Sequence, residues 1–343
     1  MTRTADSGIP VSTGPADSGI PVSTGPADSG APAFASPADI GTYGPYGPGR
    51  VAEGAEGWQR PRYPFRGRIT ADGSSGYRAE PGRYHLWAAW SCGWAQRAAI
   101  VRKLKGLEEV VTLSYVDDER DGRGWAFRKR RGPDPVRGFR LLLDAYEATE
   151  PGYPGHISTP VLWDRRTGRI VSNHSGDITT DLCTAFDAWA APGPDLRPEP
   201  LRSEIDELNE YLYENVNDGV YRVDGAGTQA GYESSRQRVC QALEALDARL
   251  ADRRYLLGDA VVESDVRLWP TLARFDLAYN PVGGICRGGL RAFPHLWAYA
   301  RDLYRLPAFR DSTDFGAYRM SPPPERADGV RHIDVDPADL DWR

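Results

Sequence analysis

The stretch Tyr84-His-Leu-Trp-Ala-Ala-Trp-Ser-Cys-Gly-Trp-Ala95 decides the fold of this chain. Its first half is short, apolar and aromatic and follows Pro81-Gly82, which is typical of a buried strand. From Trp94 to Leu104 apolar residues recur at helical spacing. The run ends at Gly106, directly after the basic residues Arg102, Lys103 and Lys105, whose charge suits the negative end of a helix. The sequence therefore predicts a strand, a junction at Cys92 and a helix.

Alternating elements continue outward from this unit. The patterns predict a strand over 110–116, a helix over 138–148, a strand from Pro160, a turn at 165–168, a strand at 170–171 and a helix over 177–189. The order β, α, β, α, β, β, α predicts an α/β domain, which we assign to residues 61–191.

The second half of the chain changes to a helical pattern. Four prolines within residues 192–200 predict a linker. After it, helical periodicity covers 201–217, 229–249, 264–279 and 295–303. We therefore predict an all-α domain over 201–318, followed by a polar tail over 319–343.

The beginning of the chain is repetitive. The block Ala5–Pro15 recurs at 16–26 and decays at 27–37, with Gly, Ser and Pro in every unit. Such repeats cannot bury an apolar face, so we expect residues 1–60 to be a disordered, low-complexity segment. No signal-peptide pattern and no apolar run long enough for a membrane span are present. These features predict a cytoplasmic protein without a membrane partner.

Charge and cysteine content exclude several functions. The 343 residues include 42 Lys and Arg against 48 Asp and Glu, a net charge of -6. That balance argues against nucleic acid as the main partner, because phosphate binding needs a clustered positive surface. The four cysteines lie far apart without a CxxC pair, so neither a metal site nor a disulfide framework is expected.

Cys92 is the one thiol in a chemically suggestive place. It lies where a strand ends and a helix begins, and the positive helix end favours the thiolate. The alternative is that Cys92 is a small buried apolar residue, as free cysteines often are. Since Ala95 stands where a resolving cysteine would be, a reactive Cys92 would work as a monothiol and need an external thiol to release it.

Two further positions could hold a ligand. A cis peptide bond before Pro160 would let the main chain of Thr159 pair with a peptide-like ligand, whereas a trans bond would make it an ordinary strand start. Ser175 precedes a helix and could bind a carboxylate, or it could simply be the helix N-cap. The sequence alone leaves both choices open.

A set of ordered motifs points to one family. The motifs are Arg83-Tyr-His-Leu, Ser91-Cys-Gly-Trp-Ala95, Arg102-Lys-Leu-Lys-Gly-Leu107, Gly124-Trp125, Thr159-Pro-Val-Leu-Trp-Asp164, Ile170-Val-Ser-Asn173, Tyr255-Leu-Leu-Gly-Asp259, Arg274-Phe-Asp276 and Arg301-Asp-Leu-Tyr304. Over roughly residues 60–318 the chain resembles the glutathionyl-hydroquinone reductases, the Xi class of the glutathione transferase superfamily.

The resemblance implies a fold and a reaction. The fold is a thioredoxin-like N-terminal domain followed by a helical, glutathione-transferase-type C-terminal domain, usually in a homodimer. In the reaction, a cysteine thiolate attacks the sulfur of a glutathionyl-hydroquinone, an aromatic thioether, and releases the hydroquinone. A second glutathione then frees the cysteine.

The resemblance also implies roles for individual residues. Cys92 is the expected nucleophile and Trp94 a wall of the thiol site. Main-chain groups of Thr159 and Val161 are expected to hold the ligand backbone, and Ser175, beside His174, its γ-glutamyl end. Tyr221 and Tyr279 match an aromatic pocket whose hydroxyls could stabilise a phenolate leaving group. The alternative for both tyrosines is a place in the helical core.

The chain departs from the family pattern near the expected thiol site. Gly93 replaces a proline, His174 a glutamate and His156 an arginine, and Gln96 stands where histidine is common. These changes leave open a different low-molecular-weight thiol such as mycothiol. Two other functions also stay open: conjugation of a thiol to an electrophile, and a non-catalytic binding protein of the same fold.

Overall fold

The computed structural model describes residues 34–47, 59–318, 329–336 and 341–342. The strands are β1 (Ile69–Thr70), β2 (Tyr77–Arg78), β3 (Tyr84–Ala88), β4 (Val111–Tyr115), β5 (Val161–Asp164) and β6 (Arg169–Ser172). The helices are α1 (Ile40–Tyr43), α2 (Gly93–Leu104), α3 (Leu143–Thr149), α4 (Ser175–Thr184), α5 (Arg202–Leu212), α6 (Gly219–Asp224), α7 (Gln229–Arg249), α8 (Glu263–Arg274), α9 (Asn280–Gly283), α10 (Pro294–Arg305) and α11 (Pro307–Arg310).

Four strands form one mixed sheet in the order β4-β3-β5-β6. β3 runs parallel to β4 and antiparallel to β5, and β5 pairs antiparallel with β6. All five residues of β3 are buried, which explains why its sequence does not alternate between apolar and charged residues. α2 packs against α4, while α3 contacts β6. This is the α/β arrangement predicted for the first domain.

α2 begins and ends close to the predicted residues. It spans Gly93–Leu104, and Gly106 just beyond it has φ of 61°, a left-handed conformation that glycine adopts without steric cost. Arg102 and Lys103 lie in its last turn, where cations are favoured. The start of α2 is thereby fixed immediately after Cys92.

Two predicted helices have different boundaries. The helix expected over 138–148 begins only at Leu143, because the preceding residues pair with another segment: Phe127 donates to the carbonyl of Arg140, and Leu142 to that of Trp125. The helix expected over 177–189 is α4, which ends at Thr184 and is followed by a 3₁₀ turn. In both cases local pairing or a tighter turn replaces regular helix.

The second half is helical, as predicted. α5 and α8 each continue into a π-helical turn, Tyr213–Asn217 and Phe275–Tyr279 respectively. α8 is buried along nearly its whole length and contacts α2, so it joins the two domains. The predicted linker packs against it: the amide of Glu263 donates to the carbonyl of Leu196 at 2.8 Å.

Part of the segment expected to be disordered is folded. Residues 34–47 lie against the first domain, where Ala35 donates to the Phe127 carbonyl at 2.9 Å and Asp39 donates to the Asp121 carboxylate at 2.9 Å. The prediction of disorder over 1–60 is therefore wrong for 34–47, because aromatic and acidic side chains there find partners. Residues 1–33 and 48–58 lie outside the described part.

The tail is also not purely polar. His332 stacks on Tyr232 with ring centroids 4.6 Å apart. Trp342 is 6% exposed and contacts Trp297 at 4.8 Å and Phe315 at 5.3 Å between ring centroids. The tail predicted to be polar therefore also contributes aromatic contacts to the helical domain at His332 and Trp342.

Candidate active site

Cys92 lies at the N-terminus of α2. It is the N-cap residue, its backbone is extended, and its carbonyl accepts from the Gln96 amide at 3.1 Å. The half-buried thiol donates to the carbonyl of Thr159, with Sγ and O 3.4 Å apart. The structure thus brings Cys92 and Thr159 together at the positive end of a helix.

The peptide bond between Thr159 and Pro160 is cis. This settles the choice left open by the sequence. Thr159 is 6% exposed, and its hydroxyl is buried without a hydrogen-bond partner among the described residues. The main chain of Thr159 therefore lies beside the Cys92 thiol.

A cavity of about 820 Å³ lies beside this junction, between the two domains. Four of the predicted site residues line it: Trp94, Thr159, His174 and Ser175. Its other walls come from the segment 60–66 and from α5, α8 and the π-helical turn after α5. The volume is in the range of small-molecule sites.

Positive charge dominates the cavity lining. Five arginines, Arg60, Arg62, Arg66, Arg97 and Arg267, face it against two acids, Asp206 and Glu210.

Several of these arginines are neutralised by carboxylates behind them. Arg60 pairs with Asp218 at 2.6 Å, and Arg267 pairs with Glu263 at 2.8 Å. Arg97 differs: it is 3% exposed, and its Nε is buried without a hydrogen-bond partner among the described residues. Burial, reinforced by the charges of Arg267 and Arg60, lowers the pKa of Arg97. An anionic ligand would relieve this unfavourable state.

His174, and not Ser175, caps α4. The Asp177 amide donates to His174 Nδ1 at 3.2 Å, which makes His174 the N-cap and Ser175 the first helical residue. The Ser175 hydroxyl donates to the carbonyl of Trp94 at 2.6 Å. The alternative of Ser175 as a plain N-cap is therefore wrong. Burial raises the pKa of Asp177, but its interactions with His174 and the hydrogen bonds from Arg66 outweigh it, so the net pKa is lowered.

The two predicted tyrosines meet beside Trp94. The hydroxyls of Tyr221 and Tyr279 are 3.0 Å apart, and the rings of Trp94 and Tyr221 are 6.3 Å apart between centroids. Tyr279 is buried, and burial followed by the neighbouring Tyr221 raises its pKa well above the usual value. The guanidinium of Arg60 lies 4.1 Å from the Trp94 ring centroid and 4.9 Å from that of Tyr221. A cation thus covers the aromatic pocket.

Four of the predicted site residues are not among those lining the cavity: Cys92, Val161, Tyr221 and Tyr279. Val161 is fully buried in β5, packs in the core with Trp87 and Trp163, and is not among the residues lining the cavity. His156 lines a second cavity of about 570 Å³ on the other side of residues 59–64. Burial, with the charges of Arg120 and Arg60, lowers the pKa of His156 to about 4, so the imidazole is neutral at pH 7.

Arg274 is a positioning residue that the sequence did not assign. Its guanidinium donates to the carbonyls of Trp90 and Ser91 at 3.0 and 3.3 Å, and also to Gln96 Oε1. It is 2% exposed and lies 3.7 Å from the Tyr318 ring centroid. Arg274 therefore ties α8 to the turn that carries Cys92.

Other functional residues were missed for identifiable reasons. Arg60 is the last residue of the segment assigned to disorder, although the aromatic residues from Trp58 to Phe65 indicate that order begins around it. Arg97 follows Trp94 by three residues on α2, a spacing that places both on one helix face. That spacing could have identified Arg97.

Among the described residues, no helix is long and apolar enough to cross a membrane. Within the same residues, no three His, Cys, Asp or Glu side chains cluster as metal ligands would.

Known proteins share this architecture. Residues 229–302 match the family model of the glutathione S-transferase C-terminal domain. The chain is 36% identical to the glutathionyl-hydroquinone reductase YqjG of Escherichia coli over 271 residues, covering 76% of this chain and 83% of that protein. It is 41% identical to the glutathionyl-hydroquinone reductase PcpF of Sphingobium chlorophenolicum over 218 residues, covering 63% and 68%.

A solved structure agrees with these sequence matches. The glutathione-bound structure of E. coli YqjG superposes with a TM-score of 0.72 at 36% identity, covering 74% of this chain and 86% of that one. The predicted pairing of a thioredoxin-like domain with a helical glutathione-transferase domain is confirmed. This chain belongs to the glutathionyl-hydroquinone reductases, enzymes of the glutathione transferase superfamily.

Proposed function

We propose that this chain removes the glutathionyl group from aromatic hydroquinone thioethers through a mixed disulfide on Cys92. The observation that carries the proposal is a thiol at the start of α2, 3.4 Å from the Thr159 carbonyl. Thr159 lines a cavity that also carries five arginines, and the paired hydroxyls of Tyr221 and Tyr279 lie beside Trp94, which lines the same cavity. The reaction class is supported by the two glutathionyl-hydroquinone reductases to which the chain is similar.

Glutathione is the thiol that the cavity charge favours. Its two carboxylates suit an arginine-rich lining, whereas mycothiol carries sugar hydroxyls and no carboxylate. The main chain at the start of α4, with Ser175 as first residue, would receive the γ-glutamyl carboxylate. The main chain of Thr159 would pair with the cysteinyl unit, and Arg97 would meet a carboxylate. Since His174 replaces an acid, the ligand ammonium lacks one anionic partner there.

The first half of the reaction breaks the bond between sulfur and the aromatic ring. The ring first takes up a proton at the carbon that bears sulfur, while the adjacent hydroxyl loses its proton and becomes a carbonyl. The Cys92 thiolate then attacks the glutathionyl sulfur and forms an S–S bond. The C–S bond breaks, and its electron pair moves to the carbonyl oxygen as a phenolate.

Tyr221 and Tyr279 would stabilise that phenolate. Their hydroxyls lie 3.0 Å apart, so one hydroxyl can donate to the other and leave the second free to donate to a ring oxygen. The raised pKa of Tyr279 keeps it protonated at neutral pH. A donor aimed at developing negative charge lowers the barrier most when water is excluded. The nearby Arg60 guanidinium would add to this effect.

The second half regenerates the enzyme. A second glutathione thiolate attacks the glutathionyl sulfur of the mixed disulfide, releases the Cys92 thiolate and leaves as glutathione disulfide. In sum, one thioether and one thiol yield hydroquinone and a disulfide. Ala95 provides no competing thiol, so the external step is obligatory.

The decisive experiment combines substrate turnover with a mass measurement. Purified protein and its Cys92→Ala and Cys92→Ser variants are given a glutathionyl-hydroquinone and glutathione, and hydroquinone release is followed by chromatography. We expect release only with the parent protein, and a glutathione adduct on Cys92 when the second thiol is withheld. Cys240→Ser, which removes a thiol outside this site, is the matched control and should retain full turnover.

Other outcomes identify the competing functions. Retained conjugation of glutathione to an electrophile by Cys92→Ala, without thioether cleavage by the parent, would indicate a conjugating transferase. Absence of both activities in the parent would indicate a binding protein. Calorimetric titration with glutathione and with mycothiol identifies the thiol, and preferential mycothiol binding would contradict our assignment.

Assembly and location complete the proposal. We propose that the chain is a cytoplasmic homodimer, as the family resemblance implies. Light scattering after gel filtration measures the mass in solution, and a monomer at assay concentration would refute the dimer.

A further inference from the structure

Two cysteines outside the active site lie close together in the helical domain. Cys240 is on α7, and Cys286 is in the loop after α9. The Cys240 thiol donates to the carbonyl of Ile285, with Sγ and O 3.4 Å apart. Ile285 directly precedes Cys286, so the Cys240 sulfur lies against the loop that carries Cys286, and the two thiols influence each other's pKa. Neither is in a disulfide.

The two thiols have different surroundings. Cys240 is half-buried, and the nearby Arg236 donates to the same Ile285 carbonyl at 3.3 Å. The hydrogen bond from Cys286, followed by the Arg236 charge, lowers the pKa of Cys240. Cys286 is only 7% exposed, and its bond to Cys240 together with burial raises its pKa. Cys240 is therefore the more accessible and more nucleophilic thiol.

The loop that carries Cys286 is held in place. The side-chain amide of Asn280 donates to the Cys286 carbonyl at 2.9 Å, and its oxygen accepts from the Cys286 amide at 2.8 Å. Tyr232 donates to the Gly284 carbonyl at 2.7 Å. These bonds keep Cys286 facing α7, which is the pre-organisation that an intramolecular reaction requires.

We propose that Cys240 and Cys286 form a dithiol site that is oxidised to an intramolecular disulfide by low-molecular-weight disulfides. The Cys240 thiolate attacks one sulfur of the small disulfide, forms a mixed disulfide and expels one thiolate. The Cys286 thiol then loses its proton and attacks the Cys240 sulfur, expelling the second thiolate. Two protein thiols are oxidised to one S–S bond, and one small disulfide is reduced to two thiols.

The inference rests on the proposed function only for the source of oxidant. Deglutathionylation makes glutathione disulfide, so the oxidant is produced by the enzyme itself. The chemistry of the pair does not involve Cys92. The crosslink must therefore form equally in the Cys92→Ser variant, which separates a failure of this inference from a failure of the proposed activity.

Peptide mapping tests the proposal. The protein is incubated with glutathione disulfide, remaining thiols are blocked with N-ethylmaleimide under denaturing conditions, and trypsin is added. Cleavage at arginine isolates Cys240 in the peptide 239–249 and Cys286 in 275–287. We expect these two peptides to be joined, with the joined species lost after dithiothreitol.

Single variants check the order of attack. In Cys286→Ser we expect a persistent glutathione adduct on Cys240, because the resolving thiol is gone. In Cys240→Ser we expect Cys286 to remain unmodified. Recovery of both cysteines as maleimide adducts from the parent protein would overturn the proposal, and so would two separate glutathione adducts or a crosslink to Cys92 or Cys183.

Discussion

Replacing Arg274 by methionine tests how the turn before Cys92 is held. Methionine is unbranched like arginine, but it is apolar and has no hydrogen-bond donor. In the native chain the guanidinium donates hydrogen bonds to the carbonyls of Trp90, Ser91 and Pro270 and to the side-chain oxygen of Gln96. The substitution leaves these buried acceptors without their cation.

The expected cost follows from those bonds. Each hydrogen bond contributes a net ~1 kcal/mol, and the cation over the Tyr318 ring about 1–2 kcal/mol more when desolvated. Burial of the methionine side chain returns roughly 1–2 kcal/mol. Arg274→Met should therefore lower the free energy of unfolding by about 3–5 kcal/mol.

Two assays separate stability from positioning. Urea unfolding gives the stability loss, and the rate of Cys92 alkylation at low temperature, where the variant is folded, reports the thiol's surroundings. We expect the alkylation rate to change and turnover to fall more in kcat than in KM. Arg305→Met, on the exposed face of α10, is the control and should stay within ~0.5 kcal/mol. A loss below about 1 kcal/mol with unchanged alkylation would refute the role of Arg274.

Three further substitutions test other parts of the fold. Gly93→Pro should raise stability by roughly 0.4–1 kcal/mol, because the extended backbone of Cys92 suits a following proline at the first helical position; a lower melting temperature would contradict this. Burial lowers the pKa of His85 to about 3, whereas the imidazole of the unfolded chain takes up a proton near its ordinary pKa of about 6.5. The free energy of unfolding should therefore fall by about 2 kcal/mol as the pH is lowered from 7 to 5. His85→Gln should flatten that dependence in urea titrations, and an unchanged slope would exclude His85 as its source. Trp342→Ala should cost about 3–5 kcal/mol by calorimetry, and less than 1 kcal/mol would show that its aromatic contacts contribute little.

The elements around Cys92 were predictable because their signals are local. A strand rich in aromatic residues, a helix that ends shortly before Gly106 and a proline after Thr159 each depend on a few neighbouring residues. The cis bond remained an open choice at the sequence level, because its energy depends on the packing around Pro160. The resemblance to a known family added the pairing of the two domains.

The cavity could not be predicted in the same way. Arg60 is far from Trp94 and Tyr221 in the chain, and only the fold brings the three together. The 34–47 segment was assigned to disorder because its composition is Gly- and Pro-rich, while its few contacts, such as Asp39 with Asp121, are long-range. Local pattern carries no information about such pairs.

Val161 shows what a sequence motif leaves open. Position 161 matches the family motif and its side chain belongs to the core, whereas the main-chain carbonyl of Thr159 contacts the thiol. A main-chain contact does not depend on the side chain at its own position. The motif therefore locates the site, but it does not say which residue's main chain would bind a ligand.

The guanidinium of Arg60 has a consequence for how this protein is handled. The residue precedes the first strand of the sheet, yet it covers the Trp94 and Tyr221 rings and pairs with Asp218 of the helical domain. An expression fragment trimmed to the thioredoxin-like domain boundary at residue 61 would keep every strand and helix of that domain and still lose this cover. Substrate preference should therefore depend on where the recombinant chain begins, and an N-terminal tag close to residue 60 is a change to the active site.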